Sequence, residues 1–317
     1  MLNKLINSFK KTQGAYWVID INSTTFKAVF YNDNKITEII NDEKNLTANF
    51  QKLKSKDVYG SKKHVSLRGS DTIIRYFLFP KMERKATHDG IFYELNKHIP
   101  FLPNDVYFDF DILDSTNQKE NAILLGVAKK KTVDLVLDNA QSLGLEIEDI
   151  SLSAVNLINL VREKEEKGNC CIFDIADDAT SIIILQNGIP VITRDANIGA
   201  DSLLKEVIKK RNAEETLEVL EDQVTKDFWK TLTKSPEIFT KETKSTFDYF
   251  ELNKGEKIDK IYLAGKIMDY PDAVDFFSSN FSANTELLNN FPFLNIEDNK
   301  KNKIFLCEFA SLAGMLI

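Results

Sequence analysis

The chain has 317 residues, 43% hydrophobic and 28% charged, which is enough apolar material for two ordinary domains and far from a disordered composition. Its net charge of -7, from 48 acidic against 41 basic residues, excludes a broad nucleic-acid surface, since phosphate neutralisation needs Lys and Arg in clustered excess; a protein or small-molecule partner is expected. No run of about eighteen apolar residues occurs, so no segment reads as a bilayer span.

The chain opens with MLNKLINSFKK, where Leu2, Leu5, Ile6 and Phe9 share one helical face and Lys4, Lys10 and Lys11 lie on the other. It lacks the apolar core and cleavage site of a signal peptide. We read it as a short helix docked on the protein's own surface, with a membrane-surface helix as the alternative. Strands at Tyr16–Asp20, Lys27–Tyr31 and Lys35–Ile40 follow, joined by short turns. The same strand, turn, strand, turn, strand plan recurs at Cys170–Asp174, Thr180–Leu185 and Ile189–Arg194, with Asn187-Gly188 as a hairpin turn. Asp20 and Asp174 close the first strand of each set, so two duplicated halves facing each other across a cleft are expected.

Between the two sets, Ser61–Ile150 reads β-β-α-β-β-α. Its strands are His64–Leu67, Thr72–Phe79, Val106–Leu113 and Ala122–Lys129, and its helices Glu83–His98 and Lys131–Leu143, the second closed by Gly144. This is the order of a compact α+β subdomain, not a doubly wound sheet. Ile147–Leu152 returns to the first sheet, Ser153–Glu163 is a helix, and the mixed-sign run Arg162–Lys167 is a solvated connection. A helix runs from Gly199 to Arg211, followed by an acidic helical region at Glu214–Asp222 and a polar helical stretch to Asn253. Lys260–Leu263 is a strand, Ala264-Gly265-Lys266 a turn, Pro271–Asn280 a helix and Ile304–Ile317 a final apolar helix. Cys170, Cys171 and Cys307 show no metal-ligand spacing and read as buried free thiols. His64, His88 and His98 lie outside any ligand or triad pattern.

The segments VIDINSTTFKAV, RGSDTIIRYFLFPKM, IFYELNKHIPFLPNDVYFDFDIL and ENAILLGVAKKKTVDLVLDNAQSLGLEIEDISLSAVNLINL, then CCIFDIADDATSIIILQNGIPVITRDANIGADSLLKEV, KETKSTFDYF, IDKIYLAG and FASLAGMLI, occur in the order and spacing of one family. Along almost its whole length the chain resembles PilM, the cytoplasmic actin-fold component of type IV pilus assembly, related to the cell-division protein FtsA. The resemblance implies an α/β actin-like fold of two RNase-H-like halves with an α+β insertion. The first half is residues 1–60 with 147–167, the insertion 61–146, the second half 168–212 with 258–317, and a helical subdomain 213–257.

An actin-type cleft holds ATP by two phosphate hairpins, by Mg²⁺ on the strand-end aspartates Asp20 and Asp174, and by a Gly-Gly turn under the adenosine. Against the family pattern, Asn22, Ser23, Thr24, Thr25 and Lys27 fit the first hairpin, with Asn22 in place of glycine as a residue tolerant of left-handed geometry. The second hairpin keeps Thr180 but has Ala176 where glycine is expected. Asp177 and Asp178 stand where phosphates would sit, with a repulsion of about a kcal/mol or more each. Gly265 is followed by Lys266 instead of a second glycine, and Gly199 and Lys244 complete the nucleotide set by resemblance. The expected function is a non-enzymatic scaffold of the inner-membrane pilus platform. Its partner is the cytoplasmic N-terminal tail of a PilN-like bitopic membrane protein, held in a groove between the first half and the insertion, with Arg68, Ile74, Arg75 and Tyr76 as groove candidates. Pilus motor ATPases are further candidate partners, and membrane association would be peripheral, through the partner. Three alternatives stay open. One is an ATP-binding switch of the same platform. Another is an actin-superfamily phosphotransferase. The last is a cytoplasmic domain like that of the type II secretion protein GspL, which continues into a transmembrane segment whereas this sequence ends at Ile317.

Overall fold

A computed structural model describes residues 14–32, 35–57, 60–113, 119–162, 167–210, 226–233, 237–291, 295–296 and 307–316. The N-terminal helix, most of the charged connection after Arg162, the acidic region at 214–222 and the start of the expected last helix lie outside them. Three sheets organise these residues.

In the first half, β1 (Tyr16–Ile21), β2 (Thr25–Asn32) and β3 (Lys35–Glu43) form an antiparallel meander, and β4 (Lys62–Leu67) and β8 (Ile147–Leu152) extend it in parallel beyond β1. In the second half, β9 (Asn169–Ile175), β10 (Thr180–Gln186) and β11 (Ile189–Ala196) form the matching meander. There β12 (Lys260–Gly265) and β13 (Asn284–Leu287) are its parallel extension. The duplication expected from the two strand sets is therefore carried through the whole topology. The β10–β11 turn has positive φ at both Asn187 (51°) and Gly188 (74°), the geometry that matches the twist of a two-residue hairpin.

Strand parity shows how the second sheet is packed. Cys171, Phe173, Ile182, Ile184, Ile261 and Leu263 point into one apolar cluster, with α5 (Ala200–Lys210), α6 (226–233), α7 (Glu237–Lys254) and α8 (Ala273–Phe281) contributing to it. Their neighbours Cys170, Ile172, Ile183, Leu185, Tyr262 and Ala264 point the other way, into the cluster that also holds the first sheet. Both faces are covered, so these strands read as continuous apolar runs instead of alternating ones.

Between the two sheets lie α4 (Ser153–Arg162) and the short α9 (Ala310–Gly314). A buried amide and hydroxyl cluster ties them to the first sheet: Asn156 Nδ2 donates to Ser66 Oγ at 3.0 Å and to Ser151 Oγ at 3.1 Å, and Ser66 and Ser311 hydroxyls meet at 3.0 Å. Gly314 lies so close to α4 that a Cβ would fall 2.1 Å from the Asn156 carbonyl oxygen.

The insertion has a three-stranded sheet ordered β5 (Thr72–Pro80), β7 (Glu120–Lys129), β6 (Val106–Leu113). α2 (Arg84–His98) covers one face through Ile91 and Leu95 against Ile73, Phe79, Ile123, Leu125 and Val127. The other face, with Ile74, Leu124 and Ala128, joins the first-half core together with α3 (Lys130–Ser142) and α1 (Leu46–Lys56). Gly144 closes α3 at φ +69°, as its spacing predicts.

Three sequence expectations differ from this architecture. His64–Leu67, read as part of the insertion, is β4 of the first sheet: it pairs with β1 and β8 and has Val65 and Leu67 fully buried, and a short apolar strand does not itself say which sheet it joins. The chain end, read with the second half, returns to the first: β14 (Asn295–Ile296) pairs with β3, and α9 packs on α4. Finally, Ile304–Ile317 is not one helix among the described residues but a 3₁₀ turn at Cys307–Phe309 followed by α9. Since the Gly314 contact is backbone against backbone and has no flexible side chain to yield, Gly314→Ala should destabilise the fold by about 2–3 kcal/mol, read as a lower urea midpoint at unchanged slope.

Candidate functional site

The ends of β1 and β9 meet at the cleft. Asp20 stands opposite Lys27 on β2 and Ser66 on β4, and Asp174 stands opposite Ser181 on β10 and Ala264 on β12, so the two aspartates occupy equivalent positions in the two halves. Both are buried, and among the described residues neither oxygen of Asp20 has a hydrogen-bond partner.

The cation that faces them is Arg68. Its backbone N–H donates to the Ile21 carbonyl at 3.0 Å, extending the ladder one residue past β4, and its side chain runs into the cleft. Nη2 lies 3.1 Å from Asp174 Oδ1, and Nε donates to Ser153 Oγ at 3.0 Å. Ser153 Oγ in turn donates to Asp174 Oδ2 at 3.1 Å. The Arg68 and Asp174 side chains are each 3% exposed. Burial works against the guanidinium charge, but Asp174, Asp20, Asp177 and Glu308 outweigh it and raise the Arg68 pKa further. Burial also pushes the Asp174 carboxyl above its usual range, with Arg68 opposing and Asp20 reinforcing the shift. Beside them, buried Lys27 donates to Thr25 Oγ1 at 3.0 Å and lies 3.6 Å from Glu308 Oε2, whose other oxygen accepts from Asn41.

The two hairpin loops touch. In the first, Asn22 Oδ1 accepts from the N–H groups of Thr24 (3.0 Å) and Thr25 (2.6 Å). Asn22 thus substitutes for glycine through its side chain and not through left-handed backbone, since its φ is not positive. From the second loop, Asp177 Oδ2 reaches across the cleft and accepts from both the Thr24 hydroxyl and the Thr24 N–H. Asp178 crosses as well, accepting from the Ser70 hydroxyl at 2.6 Å and the Ser70 N–H at 3.3 Å. At the start of α5, the Ala200 and Asp201 N–H groups donate to the carbonyls of Ala176 and Asp177 at 2.8 and 2.9 Å. Gly199 permits that approach, for a Cβ there would lie 2.4 Å from the Asp177 carbonyl oxygen. Thr180 Oγ1 donates to Ile198 O. Gly265, at φ +113°, has the Ile175 carbonyl where a side chain would stand, and Lys266 and Lys244 are exposed. Ser23 is exposed at the tip of the first loop.

The groove candidates separate. Arg68, expected in the groove, precedes β5 and is consumed by the cleft. Ile74 is 2% exposed and belongs to the first-half core. Arg75 points to the opposite face and binds the second half, with Nη1 2.6 Å from Asp195 Oδ2 and Nε donating to the His98 carbonyl. Of the four, half-buried Tyr76 remains, on the side of β5 that turns toward the first half; 51%-exposed Leu78, which was not among the candidates, shares that side. Sequence reasoning did not find the roles of Ser70, Ser153 and Glu308: Ser70 and Glu308 meet partners more than 100 residues away in the chain, and Ser153 joins Asp174, 21 residues on, to Arg68, 85 residues back. Replacing Arg68 by Met removes the guanidinium 3.1 Å from Asp174 and leaves a buried carboxyl with its Ser153 contact, and should cost about 3–5 kcal/mol in urea unfolding, with part recovered in Arg68→Met/Asp174→Leu.

Comparison with known proteins places this geometry. A structure of a PilM-PilN type IV pilus biogenesis complex superposes with a TM-score of 0.80 at 15% identity, covering 96% of this chain and 98% of that one. The ethanolamine utilization protein EutJ from Carboxydothermus hydrogenoformans matches at TM-score 0.53 and 12% identity, over 98% and 93% of the two chains. A Bacteroides thetaiotaomicron protein with an actin-like ATPase fold matches at TM-score 0.51 and 12% identity, over 97% and 98%. The fold is therefore actin-like. No curated protein sequence matches. The family model of the type IV pilus assembly protein PilM matches residues 4–313, and the chain belongs to that family.

Proposed function

We propose that the protein is a non-catalytic scaffold of the type IV pilus inner-membrane platform, held at the cytoplasmic face by the N-terminal tail of a PilN-like bitopic membrane protein. The observation that carries this reading is the family match over residues 4–313, joined by the likeness of 96% of the chain to a PilM–PilN complex. Among the described residues no helix is long and apolar enough to cross a membrane, which agrees with attachment through a partner. The tail would lie between the first half and the insertion, along the face of β5 that carries Tyr76 and Leu78 and continues into the first-half core through Ile74. Pilus motor ATPases are the next partners in this scheme.

What supports a nucleotide-independent scaffold is the commitment of the phosphate-loop donors. Thr24 and Thr25 N–H groups go to Asn22 and Asp177, and Ala200 and Asp201 N–H groups go to loop carbonyls. Mg²⁺ between Asp20 and Asp174 would have to share their space with the Arg68 guanidinium. The residues do not fit Mg-ATP in this arrangement, and no step is assigned to it. An ATP-binding switch remains a second reading because Asp20 and Lys27 keep their family positions.

A synthetic cytoplasmic tail of the cognate PilN-like protein should bind with micromolar affinity in calorimetry without nucleotide, and Leu78→Asp should weaken it by about tenfold or more. Silence at millimolar peptide would sink the scaffold. Millimolar Mg-ATP should leave the melting temperature unchanged; a ligand present at about a hundred times its Kd would add about 2.7 kcal/mol, so a clear upward shift favours the switch.

A further inference from the structure

We propose that Asp177 and Asp178 are resident anions: their carboxylates take the Thr24 donors of the first phosphate hairpin and the Ser70 donors of the neighbouring turn, and so latch the two halves together with no ligand bound. The inference rests on the nucleotide-independent scaffold reading and names what sets the angle between its halves. Four donors of the first half point at the second. Two are the N–H and hydroxyl of Thr24, in the loop after β1, and both meet Asp177 Oδ2. Two are the N–H and hydroxyl of Ser70, in the turn after β4, and both meet the Asp178 carboxylate. Backbone N–H groups beside a hydroxyl are how protein loops hold phosphate oxygens, and an ionised carboxylate offers the same charge and acceptors.

The surroundings fit an anion there. Gly69, between Arg68 and Ser70, has φ +100°, and a Cβ on it would stand 2.6 Å from Asp178 Oδ1, so the missing side chain is what admits the carboxylate. Asp177 is nine-tenths or more buried and is among the charges that Arg68 feels. The repulsion expected between these aspartates and a nucleotide is thus the outward sign of an inward attraction. The carboxylates hold the places of phosphate oxygens, bound from across the cleft. Any nucleotide would first have to displace these charge-assisted contacts, which the chain makes within itself.

The test is hydrogen–deuterium exchange with small-angle scattering on the full chain. The segments spanning Thr24 and Ser70 should exchange slowly in the wild type. In Asp177→Gly/Asp178→Gly they should exchange about tenfold faster with a larger radius of gyration, while β9 and β12 keep their protection and so report an intact fold. Asp177→Asn/Asp178→Asn, which keeps acceptors but not charge, should lie between. If the glycine variant fails to fold, Thr24→Val/Ser70→Ala removes the hydroxyl donors from the other side and should open the same segments. Wild-type segments that exchange as fast as those of either variant overturn the latch. Tail-peptide titration on the same samples separates the two readings: binding without protection removes the latch alone, and protection without binding removes the scaffold alone.

Discussion

Two buried carboxylates at equivalent strand ends cannot face each other across a dry cleft without a cation between them, and this constraint shapes the centre of the molecule. Asp20 and Asp174 are placed by the duplicated topology, and Arg68 supplies the charge. The reach of its side chain is set by the extra ladder bond that Arg68 N–H makes to Ile21, and its orientation by Ser153. Ser153 is also the first residue of α4, so the helix between the two sheets begins on the ion pair. Lys27 and Glu308 carry the same balance outward to the segment that leads into α9.

That arrangement underlies the scaffold proposal. Here the space between the halves is filled by the chain's own side chains, Arg68 from the first half and Asp177 and Asp178 from the second. Arg75 adds a further tie from the insertion to Asp195 on β11. If the latch and scaffold proposals hold, a body fixed in this way would offer a partner tail one unchanging surface, which suits a structural joint better than a timer.

Legibility in the sequence followed the range of the interactions. Local chemistry was readable: the Asn187-Gly188 hairpin, Gly144 closing α3, and the repeated strand sets that announce two halves. The tandem Asp177-Asp178 was read as standing where phosphates would sit, and its effect was judged without Thr24 and Ser70, which lie 153 and 108 residues away. Arg68 was read as a groove residue because R-G-S-D-T-I-I-R-Y-F runs straight into β5; only the tertiary fold turns it into the cleft. Asn22 was valued for its backbone tolerance, whereas its amide oxygen does the work. Sheet membership of β4 and the return of the chain end were invisible for the same reason: a short apolar segment fits several neighbours equally well until the neighbours exist.

The return of β14 and α9 to the first half also bears on how the molecule comes into being. The first sheet's edge and the far side of α4 are completed by residues 295–296 and 307–316, which follow the second half's strands in the sequence. The groove along Asn156 and the apolar face of α4 is therefore covered by segments distant in the chain. Such non-local closure favours slow folding. The two halves, so alike in plan, are in this respect one cooperative unit, joined by segments that lie beyond the second half's own strands.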